Sequence, residues 1–496
     1  VVGHNERIAW GVTNTGPDVQ DLFREKLDAT GTMVEYKGQM EPLTIISDTI
    51  TVKDKGLLPL TIRVSRHGPL ISDALNANNA NDPDVPQREA LAFRWTSLNE
   101  TDDTMEAFVG INFAQNWEEF KNALRPYVAP VQNFVYADVD GNIGYYAPGL
   151  IPIRASGEGL VPAEGWTGAN DWTGYIPFDE LPQAYNPPQN FIATANNRVI
   201  GPEYPYMLSR EWAQPFRANR ITALLTTKDK LSVDDIAAIQ ADQHSLYAET
   251  MLPLMLQQVK PTTDQQKQAI ELLKKWDYNA KKDSAATAIF EAWAYYLAVP
   301  IFSDELGDRL MENYGGRRSF IEVTMGRILA NANDPWCDNI TTNGSTEDCS
   351  QQVTQALDVA LKDLNFRMEN KPMEQWQWGT LHIAHFPHDP LDAIAPLRGF
   401  FSKAIPNGGD GSTVNVAAID VDQPFDQTRG PIYRHIVDLS DLGNSRMINA
   451  PGQAGHFMSP HYDDLLERWQ AVQYIPMRFD RTSVDAAQAG TLRLEP

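Results

Sequence analysis

His382, His385 and His388 form the densest imidazole cluster in the chain, and clustered imidazoles are what a zinc-type site uses. Their i, i+3, i+6 spacing in a strand-like run containing Pro387 alternates faces, so the three rings cannot be presented to one ion. The plainer reading is that His382 packs beside Trp378 and Gly379 while the other two cap a turn. Asp242 and His244, two residues apart near the end of a helical stretch, could be half of a nucleophile relay, but such a pair is more often a satisfied structural group. The chain shows no Gly-rich phosphate loop ending in Lys-Ser or Lys-Thr, no dinucleotide fingerprint and no Gly-x-Ser-x-Gly elbow. Nucleotide and α/β-hydrolase chemistries lose their usual support.

The frame holding these residues is large. With 496 residues the chain suffices for one large domain or two to three average ones. Acidic residues exceed basic ones by 24 and the 41 Lys and Arg form no dense run, which excludes the repeated phosphate contacts of nucleic-acid binders. Hydrophobic residues at 42% and charged residues at 21% are globular values. The apolar-looking stretch from Ala285 to Phe302 is about bilayer length, but Thr287, Glu291 and Pro300 make it a buried helix rather than a span. The chain opens at Val1 with no Met and no apolar leader, which predicts a processed product or a piece of a longer protein. Cys337 and Cys349 lie in a polar loop segment at a spacing that one disulfide could close, pointing to an oxidising compartment; two free thiols in a cytosolic loop are the alternative.

Residues 1–225 read as strands and turns, with alternation in Thr44-Ile45-Ile46 and Leu60 to Val64 and breakers at His67-Gly68-Pro69 and Asp140-Gly141-Asn142. From about 226 the texture turns helical: Ser232 to Asp235 resembles a helix start, and Thr263 to Trp276, Ala285 to Leu297 and Val353 to Leu364 carry helical spacing. Trp376 to Phe386 and Gly411 to Ile419 return to strand character. With no solenoid repeat and no low-complexity linker, the expectation is a single composite α+β domain over 1–496, with 226–365 as a helical insertion and 366–496 rejoining the sheet.

Eight stretches in order then resemble the catalytic chain of the penicillin acylases. They are Gly3-His4-Asn5 through Trp10-Gly11 with Thr13 to Phe23; Arg66-His67-Gly68-Pro69; Tyr136-Ala137-Asp138 through Tyr145; Asp171-Trp172-Thr173-Gly174; Ala195-Asn196-Asn197-Arg198; Phe216 to Ile221; Trp378-Gly379-x-Leu381-His382; and Gly452 to Tyr462. The resemblance covers essentially the whole chain. It implies an N-terminal nucleophile hydrolase with an αββα sandwich, in which removal of a spacer leaves a Ser as the first residue of the large chain. The family pattern places that Ser upstream of the Gly-His-Asn motif, so the nucleophile is expected outside this sequence; Val1 has no side-chain nucleophile to replace it. A free α-amine, with an ordinary pKa of about 8, takes the hydroxyl proton near neutral pH, so no His or Asp partner is required.

By the same resemblance, the Asn196 carboxamide and the Asn14 backbone N–H supply the oxyanion hole, and Arg220 is a positive charge that disfavours protonation of the Ser amine. Read alone, Asn196-Asn197 is a turn with left-handed backbone and Arg220 a surface helix residue. Val12 and the stretch near Val109 to Phe113 fall where the family lines its acyl pocket. A structural calcium is implied at Asp18, the Gln20 carbonyl and Asp21, with Glu211 as fourth ligand beside a carboxylate from the small chain, whose oxygens suit a hard cation. Partners implied are the small chain and the Ser-bearing segment of the same precursor, in a periplasmic or secreted heterodimer. Asn99 and Asn339 fit a glycosylation pattern, which a bacterial source would make irrelevant. Long-chain and homoserine-lactone acylases tend to carry Trp-Thr-His-Thr where this chain has Trp10-Gly11-Val12-Thr13, which favours the penicillin-acylase side. The competing readings are a homoserine-lactone acylase of the same family, a binding or structural chain that has lost its nucleophile, and a metallohydrolase built on His382.

Overall fold

The computed structural model describes residues 2–78, 89–315, 318–420 and 423–495; Val1 lies outside them. Two compact units divide the chain, Val1–Trp212 and Ala213–Pro496. Mixed helix and strand content gives an α+β protein.

The first unit is built on a five-stranded antiparallel sheet in the order Gly3–His4, Ile8–Asn14, Gln132–Asp138, Ile143–Tyr146, Gln183–Tyr185. Alternation sorts its residues onto two faces. One face carries Ile8, Trp10, Phe134, Tyr136 and Tyr146, which pack with Ala107, Ile111, Trp117 and Phe120 from the helices Thr104–Ile111 and Trp117–Ala123. Each such fully buried aliphatic or aromatic side chain contributes about 1.5–3 kcal/mol. Trp117 lies flush on the sheet because Gly144 has no side chain: a Cβ there would sit 2.3 Å from its ring. The other face carries Ala9, Gly11, Thr13, Asn133, Val135 and Tyr145, mostly small or polar.

A second, three-stranded sheet joins Gln20–Arg24 to Leu91–Trp95 and Ala163–Glu164, with Phe23, Val34, Leu43, Leu70 and Ala92 beneath it. The expected strands at 44–46 and 60–64 are parts of one long hairpin, Thr44–Val52 with Gly56–Ser65. The breaker at Gly68 is required twice over: its φ is +118°, and a Cβ would lie 2.1 Å from the Phe93 carbonyl oxygen. Beside it His67 is clamped at both ring nitrogens, Nδ1 by Glu25 at 2.8 Å and Nε2 by Asp171 at 3.0 Å, and stacks on Phe23.

In the second unit helices begin at Phe216–Leu225, ahead of the texture change near 226. Ser232 caps Val233–Gln240 through a reciprocal box with Asp235, and Thr263 caps Asp264–Lys274 in the same way with Gln266. The long helix Ala285–Gly315 bends at Gly307, whose φ of +66° is non-helical. Its Ala285–Glu312 portion is long and apolar enough to cross a membrane, but 67% of its most apolar window is buried within the unit. Phe290, Trp293 and Ile301 pack there against Val353, Leu357 and Leu361 of Cys349–Arg367. Cys337 and Cys349 are joined by a disulfide, both buried. Beside that loop, burial and the hydrogen-bonded Asp304, with Asp338 nearby, push the Glu305 carboxyl up to about 7.

The C-terminal region differs from the sequence expectation. Only Ile383–Phe386 of the 376–386 stretch is a strand; Met373–Gln375 and Trp378–Leu381 are short helical turns. Gly411 to Ile419 forms no extended strand, because polar groups close it into a buried turn: Asp410 accepts Ser412 N–H, and the Thr413 hydroxyl bonds the Asp410 and Asn415 carbonyls. Side-chain hydrogen bonds have replaced a ladder here.

Candidate active site

The catalytic candidates of the first unit meet at the end of one strand. Thr15 N–H bonds the Val131 carbonyl at 3.3 Å, and the register pairs Asn14 with Gln132. Hydrogen-bonded and open pairs alternate along an antiparallel ladder, so the Asn14–Gln132 pair is open and the Asn14 N–H and C=O point away from the Gln132–Asp138 strand. On that side the Asn196 Nδ2 donates to the Asn14 carbonyl at 2.9 Å. Asn196 is half-buried and holds φ +64°, a left-handed backbone that Asn tolerates better than most residues. Thr194, two residues before it, meets Thr13, with 2.7 Å between their hydroxyl oxygens. Two amide donors, one side-chain and one backbone, therefore sit on neighbouring atoms of a sheet edge. That arrangement can stabilise an anionic oxygen.

Behind the pair lies Asn133, fully buried, which the sequence reading did not single out. A polar residue among Val131, Phe134 and Tyr136 was the available signal, since a buried amide must be hydrogen-bonded. Val12 occupies the helix-packed face and lies partly buried against its apolar cluster. Ile111 is buried, whereas Val109 and Phe113 are exposed.

Arg220 belongs to the second unit, on Phe216–Leu225. Its guanidinium forks onto Asp242, Nε to Oδ1 at 3.0 Å and Nη2 to Oδ2 at 2.7 Å, which holds its positive charge more firmly than usual. Asp242 also accepts the His244 N–H, and its carbonyl accepts that of Asn415. The His244 ring turns instead to Glu249. Asp242 and His244 are thus satisfied groups with separate partners.

The three histidines also go separate ways. His382 is buried, bonded to the Phe425 carbonyl at 2.7 Å and stacked on Trp378; His385 faces Asp426, and His388 packs on Phe401. Among the described residues no group of three or more His, Cys, Asp or Glu is arranged to hold a metal ion.

At the implied calcium position Asp21 is already engaged, forked by Arg154 at 2.8 and 2.9 Å and bonded by the Trp172 indole at 2.5 Å. Arg154 reaches Asp18 as well, at 3.2 Å. Burial pushes the Asp18 carboxyl up, opposed by Arg154 and reinforced by the charges of Asp21 and Glu211. These oxygens are of the right hardness for calcium, but Asp21 is shared with a guanidinium, so the fit is partial.

Comparison with known proteins places this chain in a family. The penicillin amidase family profile matches residues 1–486. The chain belongs to the penicillin amidase family. Relatives include the acyl-homoserine lactone acylase QuiP of Pseudomonas fluorescens, 32% identical across 97% of this chain and 60% of its own length. The penicillin acylase 2 proenzyme of a Pseudomonas species is 28% identical across 99% and 61%. The chain therefore spans about 60% of the length of these curated relatives. Among solved structures, the thermostable penicillin G acylase of Alcaligenes faecalis superposes with a TM-score of 0.73, covering 100% of this chain and 90% of that one at 22% identity. That likeness supports the α+β fold.

Proposed function

We propose that this chain is the large part of an amidohydrolase that cleaves an acyl amide bond, penicillin-type or a related N-acyl compound, through an acyl-enzyme on an N-terminal Ser carried ahead of Gly3 in the precursor. The observation that carries the reading is the pairing of Asn196 with Asn14 at a strand end whose N–H is turned away from the ladder. In this mechanism the Ser hydroxyl adds to the substrate carbonyl while its own α-amine takes the proton. The oxygen turns anionic against the Asn196 carboxamide and the Asn14 N–H; collapse expels the amine, protonated by the α-ammonium, and a water then attacks the Ser ester in the same way to release the carboxylic acid and restore the hydroxyl. Arg220, immobilised by Asp242, supplies the positive charge that keeps the α-amine unprotonated. Val12 belongs to the acyl pocket, and exposed Met105, Val109 and Phe113 add apolar surface for the acyl group.

A structural calcium at Asp18, the Gln20 carbonyl, Asp21 and Glu211 belongs to the same reading, supported by the Asp18 carboxyl, which burial raises first and the neighbouring charges of Asp21 and Glu211 raise further. So do a small-chain partner and a periplasmic or secreted setting, supported by the Cys337–Cys349 bridge. The 32% identity to a homoserine-lactone acylase favours a second specificity, for N-acyl homoserine lactones. The test is hydrolysis by the matured enzyme of a phenylacetyl-amide chromogen and of N-acyl homoserine lactones of several chain lengths, with mass spectrometry of the acylated peptide. An acyl group on an N-terminal Ser supports the mechanism. Hydrolysis without any such adduct, from an enzyme lacking a Ser-headed peptide, overturns it.

A further inference from the structure

Asn133 spends three of its four side-chain hydrogen bonds on Thr13, Asn14 and Thr15, where the Ile8–Asn14 strand ends, and the fourth on Tyr145. Its Nδ2 donates to the Thr13 Oγ1 at 3.1 Å and to the Asn14 carbonyl at 3.3 Å. Its Oδ1 accepts from the Thr15 hydroxyl at 3.0 Å and the Tyr145 hydroxyl at 2.6 Å. Three successive residues, Thr13 to Thr15, are thus tied to one buried amide. The last backbone bond of the ladder there, Thr15 to Val131, is long at 3.3 Å, and Asn14, in an open pair, has no ladder bond to fix it. The same amide reaches the other donor: Thr13 meets Thr194, two residues ahead of Asn196.

We propose that Asn133 is a positioning residue that fixes both donors of the oxyanion hole, clamping the Asn14 peptide directly and the Asn196 segment through Thr13 and Thr194. The proposal rests on the reading of Asn14 and Asn196 as that hole. An amide is required because the position must both donate and accept; a carboxylate would set an oxygen against the Asn14 carbonyl. Donors held by a fully satisfied network do not have to reorganise as charge develops, which is the property an oxyanion hole needs.

The experiment is steady-state kinetics of the matured enzyme on an acyl amide chromogen, with Asn133→Ala, Asn196→Ala and the double variant. Asn133→Ala is expected to lower kcat between roughly tenfold and a hundredfold at near-constant KM, as for a displaced catalytic group. In the Asn196→Ala background its effect shrinks, because one of the two donors it positions has gone. Tyr145→Phe removes a single bond at the far end of the network and leaves Asn133 in place. It keeps the test open should Asn133→Ala fold poorly, and a smaller fall in kcat at constant KM is expected. If Asn196→Ala is impaired while the Asn133 and Tyr145 variants change only thermal stability, or combine multiplicatively with Asn196→Ala, the assignment of Asn133 is overturned and the oxyanion hole stands. If Asn196→Ala hydrolyses at the wild-type rate, both fall.

Discussion

The Asn196 Nδ2 and the Asn14 carbonyl oxygen, 182 residues apart in sequence, lie 2.9 Å apart. That bond holds the carboxamide beside the Asn14 N–H. Asn196→Ala is expected to lower kcat on an acyl amide by about a hundredfold to a thousandfold with little change in KM, the usual cost of one oxyanion donor. Kinetics of the purified variant check this, with its melting temperature as a control for folding.

Arg220→Gln removes a charge that forks onto a largely buried carboxylate; the side chains of Arg220 and Asp242 are 25% and 14% exposed. Leaving Asp242 without its partner costs about 1–3 kcal/mol of stability, read by urea unfolding. A positive charge near the Ser amine lowers that amine's pKa. Its loss therefore raises the pKa and moves the acid limb of the kcat/KM profile to higher pH. A limb that stays in place removes Arg220 from its assigned role.

Opening the disulfide between Cys337 and Cys349, separated by 12 residues, is expected to cost about 3 kcal/mol through the freedom regained by the unfolded loop. Calorimetry with and without reductant, alongside Cys337→Ser/Cys349→Ser, measures the fall in melting temperature.

Glu305 gives the second unit a pH signature. Its folded pKa is raised to about 7 from an ordinary 4.5, so the folded state holds the proton more tightly than the unfolded one. Its stabilising contribution is complete below pH 4.5 and is lost as pH rises through 7. Glu305→Gln is expected to flatten the decline in stability between pH 5 and 8, followed by urea unfolding across that range.

Calcium should raise the melting temperature of the matured enzyme, and Asp18→Asn should abolish that increment while removing a carboxylate that burial, and then the charges of Asp21 and Glu211, disfavour. Calorimetry with calcium and with chelator distinguishes this from an acidic turn already neutralised by Arg154, in which calcium changes nothing.

Much of this was legible in the sequence where one rule acts locally. A helix start at Ser232 to Asp235 announced Val233–Gln240, helical spacing announced Asp264–Lys274, alternation at 44–46 announced the start of Thr44–Val52, and Cys337 and Cys349 sat at a bridging spacing in a polar loop. Gly411 to Ile419 misled because alternating polar and apolar residues also describe a turn whose hydroxyls and carboxylate satisfy its own backbone. Asn14 and Asn196 were reached only through an ordered resemblance; nothing within ten residues of either announces an oxyanion hole. Asn133 went unnoticed because its role depends on Thr13, Asn14, Thr15 and Tyr145 converging on it, and that is a property of register.

The left-handed φ of +64° at Asn196 narrows what a breeder of variants can find there. Gln offers the same amide but resists that backbone, and Gly accepts the backbone but offers no amide. A saturation library at this codon, selected for turnover, should return almost nothing except the parental residue.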